Sequence, residues 1–251
     1  VDKVEAALRK AVEREELFLL YQPIADVLSG RIIGTEALVR WRHPSYGAIA
    51  PENFIPLAEE TGNIQHLTRW ALRGGISLLS RLMASGANLT LSVNVSVRDL
   101  ADPELPGRVA GLLREFAVPA HALVLEVTES AAMSDPEAVQ AVAGELSRIG
   151  IALSIDDFGV GQSSLAYLHR LPIREVKIDK TFIKNMHVNP DDRTIVKSVV
   201  ELSHGLGYRV TAEGVEDADC LASLRELGCD YAQGYFIARP MTEKAFVAYL
   251  A

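Results

Sequence analysis

Two cysteines, Cys220 and Cys229, are all that the 251 residues contain, too few for a disulfide scaffold and at no metal-binding or redox spacing. A metal would have to be held by oxygen ligands, and a reducing cytoplasm is the expected compartment. No apolar run approaches the ~18 residues that a membrane span requires. The first residues, Val1-Asp2-Lys3-Val4-Glu5, have neither an initiator Met nor the basic-then-apolar layout of a signal peptide. The expectation is a soluble domain excised from a longer protein. Basic charge is also short: 25 Lys and Arg against 33 Asp and Glu leave a net charge of −8. That disfavours a non-specific binder of double-stranded nucleic acid or anionic membrane, since both need a basic face. If the substrate is a phosphate ester, something cationic must offset the repulsion. P-loop, zincin and nucleophile-elbow motifs are all missing. Gly159-Val160-Gly161-Gln162-Ser163-Ser164 lacks the third glycine of a dinucleotide turn and follows two aspartates that would repel a pyrophosphate.

What is there is a regular rhythm. Hydrophobic residues make up 49% of the chain, enough for a sizeable core, and no Ser/Gly-rich linker or block of like charge divides residues 1–251, which read as one domain. From about residue 64 onward, stretches with apolar residues at i, i+3 and i+4 alternate with short β-branched runs, as in successive βα units. Ile195, Val199, Leu202 and Leu206 form one such helical stripe. Helices are expected to end at Gly86, Gly150, Gly207 and Gly228, where glycine alone takes the left-handed C′ conformation without strain. The predicted strands run from Ile32 to Val39, Leu89 to Val95, Leu123 to Val127, Ile151 to Ile155, Glu175 to Ile178, Arg209 to Ala212 and Tyr231 to Ile237. Seven to eight units in ~250 residues fit a (β/α)8 barrel. A doubly wound open sheet has the same alternation.

The polar residues decide between the two. Glu36, Asn94, Glu126, Asp156 with Asp157, Lys177, Glu213 and Gln233 each sit near the C-terminal end of a predicted strand. In a barrel those ends converge on one mouth, whereas in an open sheet the outermost lie far apart. An acid in an apolar strand is costly unless it is paired or binds metal. Any one of these is more often a helix cap or an ion-pair partner, but so many strand ends together are not explained that way. In Asp156-Asp157, two adjacent like charges force one pKa upward unless a cation intervenes. Oxygen ligands without Cys or His favour Mg²⁺, Mn²⁺ or Ca²⁺.

At this point the residues resemble a known family, the EAL-domain phosphodiesterases that hydrolyse cyclic di-GMP. Glu36-Ala37-Leu38, within Gly34 to Trp41, looks like the naming motif, and Tyr21-Gln22-Pro23-Ile24 precedes it as the family's first strand does. Asn94-Val95-Ser96, Glu126-Val127-Thr128-Glu129, Asp156-Asp157-Phe158-Gly159, Lys177-Ile178-Asp179, Ala212 to Glu216 and Gln233-Gly234-Tyr235 follow in the family order. The set spans roughly residues 8 to 248. The resemblance implies an α/β fold, a modified TIM (β/α)8 barrel with one antiparallel strand.

It further implies that Glu36, Asn94, Glu126 and Asp156 bind one metal, Mg²⁺ or Mn²⁺. Asp156 and Asp157 would hold a second, with Glu213 near it as base or ligand and Lys177 orienting the attacking water or offsetting charge. Arg40 would contact a substrate phosphate, with Leu38, Gln22, Asp179, Gln233 and Pro240 at ligand-contacting positions. Glu129 would support the loop after Asp157 that links the site to a homodimer interface. In that loop the sequence departs from the family pattern, with Val160 where Thr is usual and Gln162 where an aromatic is usual. No Gly-Gly-Asp-Glu-Phe motif for cyclic di-GMP synthesis occurs. Two cations ~3.5 to 4 Å apart account for phosphodiester hydrolysis, and the resemblance alone identifies the substrate as cyclic di-GMP and the product as linear 5′-pGpG. The alternative is a catalytically silent sensor of the same nucleotide. Either would be one module of a longer signalling protein with upstream sensory or regulatory domains.

Overall fold

The computed structural model describes Leu8, Ala11 and residues 14–132, 135–159 and 170–250. Strands β1 (Leu17–Asp26) and β2 (Ile32–His43) form an antiparallel hairpin, extended by a short β3 (Gly47–Ile49) on the end of β2. Its turn is held by Asp26, whose carboxylate accepts from the Ser29 amide and hydroxyl at 2.7 Å. Helices α1 (Pro51–Thr61) and α2 (Ile64–Ala84) lead to β4 (Thr90–Asn94). Then come α3 (Val97–Leu100), α4 (Leu105–Glu115), β5 (Leu123–Thr128), α5 (Glu129–Ala132), α6 (Pro136–Ile149) and β6 (Ala152–Phe158). The chain continues through β7 (Ile173–Ile178), α7 (Lys180–Ile183), α8 (Pro190–Gly205), β8 (Arg209–Ala212), α9 (Ala218–Glu226), β9 (Tyr231–Ala232) and α10 (Glu243–Leu250).

The strand order β1-β9-β8-β7-β6-β5-β4-β2, with β1 also paired to β2, closes a ring of eight strands. Only β1 runs against its neighbours. This is the expected modified TIM barrel. Its local determinants are conventional. Pro opens α1, α6 and α8, where a missing N–H costs nothing, and the Asp135, Asn189 and Asp217 side chains accept from first-turn amides. The four glycines expected to end helices all have positive φ. Helix α2 shows why the barrel holds its helices: Leu67, Leu72, Ile76, Leu79 and Leu82 are buried against the sheet, each contributing roughly 1.5–3 kcal/mol.

Three predicted features differ. The last strand ends at Ala232 instead of Ile237, because the chain turns at Gly234 and packs on Val215. Strand β6 runs on to Phe158, so the aspartate pair belongs to the strand rather than following it. Of the stripe Ile195, Val199, Leu202 and Leu206, the first three lie on α8 and Leu206 is its C-cap, but Val196, Val200 and Ser203 are the buried residues, leaving Ile195, Leu202 and Leu206 exposed. Two apolar stripes one residue apart coexist on this helix, and periodicity alone does not say which one faces the barrel.

Candidate functional site

The parallel strands all end at one mouth, and alternation along each strand turns every second side chain into the barrel. Glu36 on β2, Glu126 on β5, Asp156 on β6 and Glu213 just past β8 thereby surround Lys177 on β7. The ammonium lies 2.6 Å from Glu213, 2.8 Å from Glu126, 3.3 Å from Glu36 and 3.5 Å from Asp156. Lys177 and Glu126 are completely buried. Asn94 Nδ2 donates to Glu36 Oε1 at 2.7 Å, and Gln233 Nε2 donates to Glu36 Oε2 at 2.8 Å and to Gln22 Oε1 at 3.2 Å. The register staggers these contributions: Asn94 sits opposite Glu126, whereas Asp156 sits opposite Thr128, two residues further on. Residues up to 211 positions apart in the chain thus share one hydrogen-bonded ring.

Burial and charge pull against each other here. Burial pushes Lys177 down, yet the carboxylates of Asp156, Glu126, Glu213 and Glu36 outweigh it and hold the lysine well above its usual value. Burial also opposes ionisation of Glu36, but Lys177, Gln233 and Asn94 together bring it below the ordinary carboxylate range. Glu126 goes the other way, driven well upward by burial and by the Glu36 charge. Glu213 is pushed up to about 7, chiefly by burial. Asp157 is pushed up to about 6 by burial and by the Asp156 charge, and its carboxyl is hydrogen-bonded to Asp179. Asp157 takes a left-handed conformation with φ of 54°, which Asp tolerates better than bulkier residues. Asp179 in turn caps α7, accepting from the Thr181 amide at 2.9 Å.

The donor set fits a hard divalent cation. Four carboxyls, those of Glu36, Glu126, Asp156 and Glu213, face one ammonium, and Asp157 adds a fifth beside Asp156 and Glu213. One oxygen each from Asp156, Asp157 and Glu213 lies within 4.8 Å of the others. Glu126 Oε1 and Gln233 Oε1 are buried with no hydrogen-bond partner, and a buried acceptor left unsatisfied costs about 1–3 kcal/mol. A cation taking oxygen ligands removes that cost. Asn94 uses its amide nitrogen on Glu36, so its oxygen is the atom that a cation would take.

Beyond the ring, Glu129 Oε2 accepts from the Gly159 amide at 3.0 Å. Val160 and Gln162 lie outside the described residues. A cavity of about 320 Å³ opens over the ring, with Gln22, Glu36, Leu38, Glu213 and Gln233 in its wall. Arg40 and Pro240 are not in that wall: Arg40 Nη1 donates to the Val39 carbonyl, and Pro240 precedes Met241, which pairs with Tyr21. Lys180, Lys184, Glu216 and Tyr235 also line the cavity. Reading strand ends missed Lys180 and Lys184, which follow the end of β7 by two and six residues. A larger cavity of about 650 Å³ lies beside α2, against His66, Trp70 and Arg73, and contains none of the strand-end polar residues.

Comparison with known proteins bears on this geometry. The family model described as EAL domain matches residues 5–240. The bifunctional diguanylate cyclase/cyclic di-GMP phosphodiesterase MucR of Pseudomonas aeruginosa is 42% identical over 246 residues, 97% of this chain and 36% of that protein. The cyclic di-GMP phosphodiesterase PA2567 of the same organism is 39% identical over 236 residues, 94% of this chain and 40% of that protein. The chain therefore spans well under half the length of these two curated relatives. The solved structure of the PaMucR phosphodiesterase in complex with c-di-GMP matches with a TM-score of 0.92 at 40% identity, covering 97% of this chain and 99% of that one.

Proposed function

This chain belongs to the EAL domain family, and from that membership we propose that it is a metal-dependent phosphodiesterase opening cyclic di-GMP to linear 5′-pGpG. The observation that carries the reading is the ring itself: the carboxyls of Glu36, Glu126, Asp156 and Glu213 enclose Lys177 at the barrel mouth, with Asn94 bonded to Glu36, Asp157 beside Asp156 and Glu213, and two buried acceptors unpaired. Glu36, Asn94, Glu126 and Asp156 are assigned to one Mg²⁺ or Mn²⁺, and Asp156, Asp157 and Glu213 to a second. Cations bound there would supply charge that activates water and stabilises the attacking and leaving oxygens of the phosphodiester.

The chain's own groups do the rest. Lys177, held rigidly by four acids, fixes their spacing and keeps like charges together. Glu213, beside the Lys177 ammonium and in the cavity wall, is placed to take a proton from the attacking water at its carboxylate. Gln22 and Gln233 hold the Glu36 side of the ring. Arg40, Leu38, Asp179 and Pro240 are assigned to substrate, and Glu129 to the loop after Asp157. One domain over residues 1–251, a cytoplasmic location, upstream sensory domains and a homodimer formed beside the Asp157 loop belong to the same proposal. No helix among the described residues is long and apolar enough to cross a membrane.

The test is incubation of the purified chain with cyclic di-GMP and Mg²⁺ or Mn²⁺, with a chelated control, and chromatography of the products. Metal-dependent pGpG supports the phosphodiesterase. Tight binding without product would favour the silent sensor, a reading that the intact acidic set disfavours.

A further inference from the structure

Among the described residues Lys177 carries the only ammonium inside the ring, and four carboxylates surround it while no part of its side chain reaches solvent. It has no charge left over for an anionic ligand. The basic side chains that line the described cavity wall are Lys180 and Lys184. Lys184 Nζ lies 2.8 Å from Glu216 Oε1, but both side chains are nearly half exposed, and so weak a surface pair leaves the ammonium able to turn to an anionic ligand. Lys180 has no ion-pair partner among the described residues.

The position of Lys180 is set by close packing. Gly214 has φ of +69°, and a Cβ on it would come within 2.4 Å of Lys180 Cβ and 3.2 Å of Lys180 Cα. Only glycine lets the loop that carries Glu213 lie directly against the Lys180 backbone. The Glu213 amide donates to the Ile178 carbonyl at 3.1 Å, tying the ends of β7 and β8 together. Lys180 is therefore fixed beside a ring carboxylate while its side chain stays in the cavity wall.

Closure of the barrel supplies a second constraint. In the eight-strand ring β7 is four strands from β2 in either direction, so Lys180, just past β7, lies on the opposite side of the ring from β2, the strand that carries Arg40. A cyclic dinucleotide has its two phosphodiesters on opposite sides of its macrocycle. The cations assigned to the ring offset the charge of the phosphodiester that is cut, and the other phosphodiester needs positive charge from the chain itself, whose net charge is −8.

We propose that Lys180, with Lys184 as a second cation, binds the second phosphate of cyclic di-GMP, across the ring from β2. The inference rests on the cyclic di-GMP reading above. It makes the Lys180 side of the cavity the element that selects a ligand with two phosphates over one with a single phosphodiester.

The experiment compares wild-type protein with K180Q, K180Q/K184Q and the exposed control K197Q on two substrates, cyclic di-GMP and bis(p-nitrophenyl) phosphate, with Mn²⁺ at low and high salt. For K180Q the ratio of kcat/KM on cyclic di-GMP to that on bis(p-nitrophenyl) phosphate falls about tenfold, as expected for loss of one charge-assisted contact. The loss is in KM, deepens in the double variant, and shrinks as ionic strength rises. K197Q keeps the wild-type ratio. An unchanged ratio in K180Q, or a loss confined to kcat, overturns the inference while leaving the phosphodiesterase assignment standing. If wild-type protein cleaves only bis(p-nitrophenyl) phosphate, the cyclic di-GMP reading itself falls, and the inference with it.

Discussion

Replacing Lys177 with Met keeps the length of the side chain and removes its charge. Four carboxylates then face one another at the barrel mouth, and Glu126, completely buried, loses the cation 2.8 Å away. Breaking a buried ion pair from one side costs about 3–5 kcal/mol. For a chain of this size each kcal/mol lowers Tm by about 2–4 °C, so in chelator Lys177→Met should melt about 6–20 °C below wild type. Proton uptake softens the penalty, because burial already drives Glu126 toward its neutral form. The deficit should accordingly be smaller at pH 6 than at pH 8. Divalent cations take over the missing charge: saturation at 100 times Kd contributes about 2.7 kcal/mol, enough to recover about half or more of the loss. Thermal unfolding followed by circular dichroism, with EDTA or with Mg²⁺, reads all of this. A Lys177→Met variant melting in EDTA within about 2 °C of wild type would refute the reasoning, since the acids would then be balanced without the lysine.

Asp156→Ala removes the carboxylate assigned to both cations; because loss of a mere supporting partner costs 10–100-fold in metal affinity or activity, kcat should fall by more than about 100-fold, and wild-type turnover in a steady-state assay would sink the bridging assignment. Metal-free stability should decline as pH rises from 5.5 to 8. Glu213 and Asp157 have folded-state pKa values raised to about 7 and about 6, so their contribution is fully present below the unfolded values and is lost as pH passes through the folded ones. For Glu213, a rise from 4.5 to about 7 corresponds to at most about 3 kcal/mol. Melting curves in EDTA across that range check the sign, and a Tm that climbs with pH contradicts it. Gly234→Ala puts a Cβ 2.2 Å from the Val215 carbonyl oxygen and 2.3 Å from its nitrogen. The backbone must move, with a stability loss of about 1–3 kcal/mol or more, measurable by urea denaturation, and with displacement of the adjacent Gln233 from Glu36.

The sequence by itself determined the βα alternation, the helix-ending glycines and the polar strand ends, because these are local properties: periodicity, backbone freedom at one residue, and the cost of a charge in an apolar strand. It also determined the family, since motifs in a fixed order survive without coordinates. Only the tertiary structure decided which stripe of α8 faces the barrel, because Ile195 and Val196 both begin helical apolar patterns and only packing chooses between them. The early end of the last strand was likewise invisible, being set by the contact of Gly234 with Val215, nineteen residues earlier. The site divides in the same way. Residue types and spacing named its acids, but that Lys177 is enclosed by four of them, and that the end of β7 lies across the ring from β2, follow from closure of the barrel. Closure brings together strand ends far apart in the chain, and no local signal in the sequence carries a distance measured across the ring.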